Sequence, residues 1–465
     1  MQRERTADRL GLLEIGSYFV TNIGNIPIMT LLNSLLLIYY TDVIRLDPAA
    51  VGTLFLVARV LDGFNDPIVG YIVDHFPPTK MGRFRPYLML GALFCSINYL
   101  ALWYGPALFP SAKLLIAYVS YLLIGITFDL MDIPLNSLIP VMTDNPKERN
   151  LLSTVKAAGY AVGGGLVALP APYILDYMKD DPQKAYYLII GVATAITLSF
   201  SVLGALGVRE RIQPVEDKKY GLRDLFSVIA EKPVRITFLT QLVASIGGSA
   251  GGATGVFFAQ YILHDVKILS LLSVVSVVGG LPGLLLAPKL IDRFGKRAVY
   301  AAGLAMPAVF NLLKLLNAAN LPYLYILSIL GGFGGGLTMP MSYGIQADNV
   351  DYVDYARGQR TEGAIASLNS FVIKASGGIG GALPGYILKL TGYVPEAAEQ
   401  SKRAQQGILL NYIVLPAISA LAAAALFRFG YNITNERMAE ISETLKQRRA
   451  EAAALKEQAE GAFMT

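Results

Sequence analysis

The feature that most constrains this chain is the recurrence of apolar runs about as long as a lipid hydrocarbon core is thick. Residues 26–40, 186–208, 298–316 and 407–427 are each nearly free of charge, and several approach the roughly 20 residues a helix needs to cross a bilayer. Of the 465 residues, 54% are hydrophobic and only 16% charged, where a soluble protein carries about a quarter. The expected fold is therefore an all-α membrane protein. Its spans are drawn at 14–40, 50–75, 85–105, 112–142, 151–177, 185–207, 235–263, 267–291, 298–318, 322–348, 362–390 and 406–430.

The formal net charge of +5 invites a nucleic-acid reading, but the placement of the charges opposes it. Lys and Arg concentrate in the termini and the even-numbered loops. This is the positive-inside pattern and predicts that both termini are cytoplasmic. The amino-terminal MQRERTADRL has no small-residue cleavage site after a short apolar core, so the first span is expected to stay in place. Cys95 is the one cysteine and cannot form an internal disulfide. His75 and His264 are the only histidines, which argues against a histidine-based metal centre.

The two halves echo one another, which points to an internal repeat. After the second span, GYIVDHFPPTKMGRFRP carries Asp74, Gly82, Arg83 and Arg85; after the eighth, APKLIDRFGKRAVY carries Asp292, Arg293, Gly295, Lys296 and Arg297. Lys156 with Gly163–Gly165 in the fifth span is matched by Lys374 with Gly380 and Gly381 in the eleventh. Twelve helices in two such halves resemble the major facilitator superfamily, whose two bundles rock about a midplane site. The basic turns serve either as latches at the cytoplasmic side or as topological signals alone. The expected division is an amino-terminal six-helix bundle at 1–207, a cytoplasmic central loop at 208–234, a second bundle at 235–430 and a charged cytoplasmic tail at 431–465. The glycine clusters at 247–255, 331–336 and 377–385 precede no Lys-Ser or Lys-Thr and follow no strand pattern. They read as helix-packing or hinge elements and not as phosphate loops. With no nucleotide site, transport would draw on an ion gradient or run downhill.

A charge near the bilayer centre is costly enough to be a functional hypothesis in itself. In the second span Asp62, Asn65 and Asp66 fall at i, i+3 and i+4 on one face. Their oxygens could ligate a small hard cation such as Na⁺, or the paired acids could carry a proton. Pairing with Arg59 is the structural alternative, but one arginine cannot neutralise two acids. In the fourth span Asp129, Asp132 and Asn136 form a stripe suited to accepting hydrogen bonds from sugar hydroxyls, or to pairing with Lys156 or Lys374. The first span offers Asn22, Asn25 and Asn33, equally suited to hydroxyl recognition or to helix packing. Lys156 reads as a structural partner of a carboxylate. Lys374 reads as the lone intramembrane charge of the second half and a candidate to couple the halves.

These residues sit in segments that resemble the glycoside–pentoside–hexuronide:cation symporters: LIYYTDVIRL at 37–46, VGTLFLVARVLDGFNDPIVGYIVD at 51–74, GRFRPYL at 82–88 and LMDIPLNSLIP at 130–140. The likeness continues through QADNVDYVDYARGQRTEG at 346–363 and SLNSFVIKASGGIGGALPGYI at 367–387. The resemblance implies that Asp62 and Asp66 bind the coupling cation beside Asn65. It implies that Asp132 takes sugar hydroxyls and that Lys374 lies near both sites. Lys156 falls near an arginine of the family and Asn369 at a glutamine. Two departures leave galactoside specificity open: Ile26, with Asn25 adjacent, replaces a second sugar-binding acid, and Asn136 replaces an aromatic residue; Asp129 is an additional acid.

The expected function is import of a sugar or glycoside with Na⁺ or H⁺ by alternating access, in a cell membrane, by a monomer that uses no cofactor, binds no nucleic acid and has membrane lipid as its surroundings. The alternative is a major facilitator carrier of a non-sugar solute, such as a lipid or organic anion. A sensor would need a larger signalling domain than the tail provides. An enzyme would need a nucleophile–base or metal-ligand arrangement, and none appears.

Overall fold

The computed structural model describes residues 10–58, 61, 79, 81–143, 146–211, 228–318, 320–358, 362–395, 397–445 and 447–448. Within them eleven helices are long and apolar enough to cross a membrane, and a shorter apolar helix covers Pro48–Ala58. The expected second span otherwise lies outside the described residues. The only β pairing among the described residues is an isolated bridge between Thr79 and Gly82.

The chain divides into two compact units. The first holds residues 1–217, 252–270 and 381–408. It contains α1 (Leu12–Asn25), α2 (Pro27–Ile38), α3 (Pro48–Ala58), α4 (Arg85–Leu108), α5 (Lys113–Asn136), α6 (Leu138–Met142), α7 (Pro146–Ala168), α8 (Ala171–Tyr177) and α9 (Pro182–Gly207). The second holds residues 218–251, 271–380 and 409–465. Its helices include the greater part of α10 (Lys232–Tyr261), α11 (Lys267–Phe294) and α14 (Glu362–Leu390), with α12 (Lys296–Leu313), α13 (Leu321–Arg357) and, beyond α15 (Lys402–Leu409), α16 (Leu415–Gly430).

In the first unit α1 packs on α7 and α9, and α4 packs on α5 and α9. Between α1 and α2 the first span is interrupted at Ile26, because Pro27 has no N–H to offer the Ile23 carbonyl. Gly163 of α7 lies directly against that carbonyl, and a Cβ at Gly163 would come within 2.4 Å of it. Tyr39 and Tyr40, in a π-turn at Tyr39–Val43, donate to the Trp103 and Leu102 carbonyls at 2.6 and 2.9 Å. Tyr39 also packs its ring against Trp103 and Tyr186.

The repeated glycine turns have a shared physical role. Gly82 and Gly295 both adopt positive φ, at 109° and 79°, a region that glycine enters without steric cost. In the first unit Arg85 donates through Nε to the Ala205 carbonyl and through an Nη to Leu206, both at 2.7 Å. In the second unit Arg297 donates through Nε to the Arg428 carbonyl at 2.6 Å. In each case an arginine at the start of one span satisfies backbone acceptors at the carboxyl end of another helix of the same unit, α9 in the first and α16 in the second. Helix ends leave such acceptors unpaired. The first turn is further held by Glu210, whose carboxylate accepts the backbone N–H groups of Arg83, Phe84 and Arg85 at 2.7–3.0 Å. An anion at a helix start is favoured by the helix dipole as well.

Replacing Glu210 by Ala leaves three N–H groups without that acceptor and should lower stability by about 1–3 kcal/mol. Lys184→Ala, which breaks an exposed pair with Asp181, should leave the melting temperature unchanged. Thermal unfolding in detergent would compare the two, and equal melting temperatures would remove the anchoring role of Glu210.

Candidate functional site

The stripe expected on the fourth span is present on α5. Asp129 is buried, Asp132 half-buried and Asn136 exposed, so the face opens towards its carboxyl end. Asn136 donates to Asp132 Oδ2 at 2.7 Å, and Tyr160 of α7 donates to Asp132 Oδ1 at 3.3 Å. Lys156, one turn before Tyr160, donates to Asn136 Oδ1, and its ammonium lies 5.3 Å from the Tyr160 ring centre. Lys156 therefore reaches Asp132 through an amide. Asp132 thus accepts from both Asn136 and Tyr160 on a face that opens towards the exposed Asn136, and a carboxylate has about four acceptor positions in all.

The side facing these groups on α1 carries polar atoms with no partner. Asn22 donates to the Tyr18 carbonyl at 2.7 Å, but its Oδ1 is unpaired; so are both amide atoms of Asn25 and the Tyr18 hydroxyl. All three side chains are fully buried. At positions 18, 22 and 25 they recur at i, i+4 and i+7, a single helical row. The Asp132 charge acts on both Tyr18 and Tyr160, so the row and the α5 stripe belong to one neighbourhood. Buried polar atoms without partners are uncommon and call for water or a ligand. Asn33 is exposed and stands apart from the row. Tyr18 was not among the expected residues, although its place four residues before Asn22 signals it. Asp62, Asn65 and Asp66, expected to hold the cation, lie outside the described residues, as does Arg59. No cluster of three or more His, Cys, Asp or Glu side chains that could hold a metal occurs among the described residues.

In the second unit Asn369 accepts from Gln241 at 2.7 Å and from Gln346 at 3.0 Å. Gln241 and Gln346, with Thr237, Ser245, Tyr300 and Ser342, line a cavity of about 250 Å³ without a charged group. Its amides and hydroxyls were not foreseen, because no acid marks them in the sequence. Lys374 is half-buried on α14. It is not the lone intramembrane charge of its half, since Lys314 lies inside the apolar span Lys296–Asn317 and is 7% exposed. The sequence pattern gives Lys314 no distinction, because it sits four residues from the end of its span.

A third group, also unforeseen, lies in the first unit at the far end of the first span. Asp42 is buried and accepts from Tyr261 and Tyr393, whose hydroxyls are 3.0 Å apart. Burial first, and the Asp42 charge second, hold the Tyr393 phenol far above its ordinary pKa, so it remains a donor. Nearby in sequence, Lys389 pairs with Asp47. Burial raises the Asp47 carboxyl, but the Lys389 ammonium and the N–H groups of Ala50 and Ala49 outweigh it and leave it below the usual range.

Comparison with known proteins accounts for nearly the whole chain. The family described as MFS/sugar transport protein matches residues 17–435. The symporter YjmB of Bacillus subtilis, itself uncharacterised, is 29% identical over 448 residues, covering 95% of this chain and 97% of its own. The isoprimeverose transporter of Lactiplantibacillus pentosus is 29% identical over 85% of this chain and 84% of its own, and the glucuronide carrier protein homologue of Escherichia coli is 29% identical over 87% and 89%. Among solved structures, a bacterial homologue of the iron transporter ferroportin in an inward-facing state superposes with TM-score 0.63 at 13% identity, covering 91% of this chain and all of that one. The nucleoside transporter NupG gives TM-score 0.61 at 13% identity, over 90% and 100%; these likenesses concern the fold alone. The helical spans, the repeated arginine anchors and the match over 17–435 lead to one conclusion: this multi-pass membrane chain has the major facilitator fold and belongs to the MFS/sugar transport protein family.

Proposed function

We propose that the protein is a secondary active symporter that brings a sugar or glycoside into the cell with a cation, Na⁺ or H⁺, by alternating access. The observation that carries the sugar reading is the Asp132–Asn136–Lys156 chain, set beside the unpaired polar row Tyr18, Asn22 and Asn25. Sugar hydroxyls are both donors and acceptors, and this surface offers a carboxylate, amides and a phenol within one unit. The names of the isoprimeverose and glucuronide relatives support the same substrate class. Asp62, Asn65 and Asp66 are the proposed cation ligands, on their i, i+3, i+4 spacing and on the family resemblance. The charge asymmetry of the loops supports cytoplasmic termini, and import of a solute into the cell requires a plasma-membrane location.

One observation favours an anionic glycoside over a neutral one. Lys156 is held by the neutral amide of Asn136 and not directly by a carboxylate, so its charge is available to a carboxylate or sulfonate on the substrate. Asp129 tunes the stripe from its buried end, and Asn369 and Lys374 are proposed as substrate contacts of the second unit.

Asp132→Asn removes a charge-assisted acceptor worth roughly 1.5–3 kcal/mol and should weaken sugar binding about tenfold to a hundredfold. Binding to purified, folded protein measures this, and an unchanged affinity would make Asp132 structural. For the cation, Asp62→Asn and Asp66→Asn should each abolish gradient-driven accumulation in vesicles while leaving some sugar exchange. Normal uphill uptake by both variants would sink the assignment. Lys156→Met should weaken binding of a glucuronide more than that of the matching neutral glycoside; equal losses would exclude the anionic preference.

A further inference from the structure

In the second unit α11, α12 and α13 enclose a cavity of about 380 Å³ that the transport site does not use. The floor is glycine: Gly331, Gly332, Gly335 and Gly336 of α13 with Gly280 of α11. Val277, Leu281 and Met339 form walls that are themselves largely exposed. In a membrane-spanning segment, exposed apolar walls of this kind meet acyl chains. The lining runs along α13 from Leu327 to Met339, which is about 18 Å of helix rise and about the depth of one leaflet of a 30 Å core.

At one end this apolar groove carries a charge. Lys314 lines it, is 7% exposed, and has no ion pair or hydrogen bond through its ammonium among the described residues. Ser328, also lining the cavity, is 5% exposed and its hydroxyl has no partner. Pro307 packs on Gly331 and Gly303 on Gly334. The antiparallel register of α12 and α13 therefore puts Lys314 at the Leu327 end, near the connection between these helices. A buried ammonium without a counter-ion is expensive in hydrocarbon and marks a site. Besides Lys314 and Ser328 the polar lining residues are Ser276 and Asn311, too few for a sugar among these apolar walls, and a free inorganic anion would leave the glycine groove unfilled. An anion carried on an acyl chain satisfies both ends.

We propose that this groove binds an anionic phospholipid, with one acyl chain along the glycine floor and the phosphate at Lys314 and Ser328. The lysine supplies the charge and the serine hydroxyl donates to a phosphate oxygen. This site is independent of the transport reading.

The test uses the full-length protein stripped of lipid in detergent, titrated with phosphatidylglycerol, phosphatidylcholine or inorganic phosphate alone. Binding is read by native mass spectrometry and by thermal unfolding. Wild type should prefer phosphatidylglycerol, and Lys314→Met should lose that preference, with about tenfold weaker binding. Because the variant removes an unpaired buried charge, it should melt no lower than wild type when lipid is absent. Gly335→Leu, whose Cβ would enter open space, should fold and lose binding of both lipids by filling the groove. Three results would each overturn the proposal. They are a phosphatidylglycerol preference intact in Lys314→Met, inorganic phosphate that alone displaces the lipid, and a clear loss of lipid-free stability in Lys314→Met.

Discussion

Glycine fixes the distances between helices in this protein, and the placement of its polar groups depends on those distances. Lipid offers little hydrophobic drive for helix association, so close packing must supply it, and small residues permit the closest approach. In the second unit a Cβ on Gly332 would fall 2.0 Å from the Ser276 carbonyl oxygen, and one on Gly336 would fall 1.9 Å from that of Gly280. In the first unit Gly163 and Gly91 meet the Ile23 and Leu130 carbonyls in the same way. At such distances Cα–H groups face carbonyl oxygens directly, a weak but recurring attraction. Any larger residue would wedge the helices apart and separate the side chains that meet across them.

That close packing separates the polar groups into two kinds. Most hydroxyls return to a carbonyl of their own helix, as Thr30 does to Ile26 and Ser120 does to Ile116. They spend their one donor on packing and keep only acceptor positions for a ligand. The second kind finds no such local partner; Tyr18, Asn22 and Asn25 in the neighbourhood of Asp132, and Ser328 in the cavity that Lys314 lines, are of this kind. The two lysines illustrate the difference. Lys156 is drawn into a side-chain network on a polar face, whereas Lys314 lines an apolar groove without such a network.

Much of this was legible in the sequence. The span pattern follows from apolar runs of bilayer length, and the α5 stripe from the i, i+3, i+7 spacing of Asp129, Asp132 and Asn136. The paired turns at Gly82 and Gly295 were visible as a repeat, but their purpose was not. Arg85 and Arg297 act on carbonyls of distant helix ends, and backbone acceptors carry no sequence signature. The grouping of Asp42 with Tyr261 and Tyr393 joins residues 219 and 351 positions apart, beyond any local period. Lys314 was hidden for another reason: a lysine near a span end reads as an interfacial anchor until packing shows it enclosed.

The enclosure of Asp42 has a kinetic consequence. Its carboxylate is held by hydroxyls from two segments remote in the chain and by that of its neighbour Thr41, in the wall of a cavity that Asp42 itself lines. Any motion that draws those segments apart takes both tyrosine hydroxyls from the anion. The lowest route is therefore one in which water enters as the tyrosines leave. Such a movement therefore depends on water reaching that crevice as well as on the reach of the helices that move.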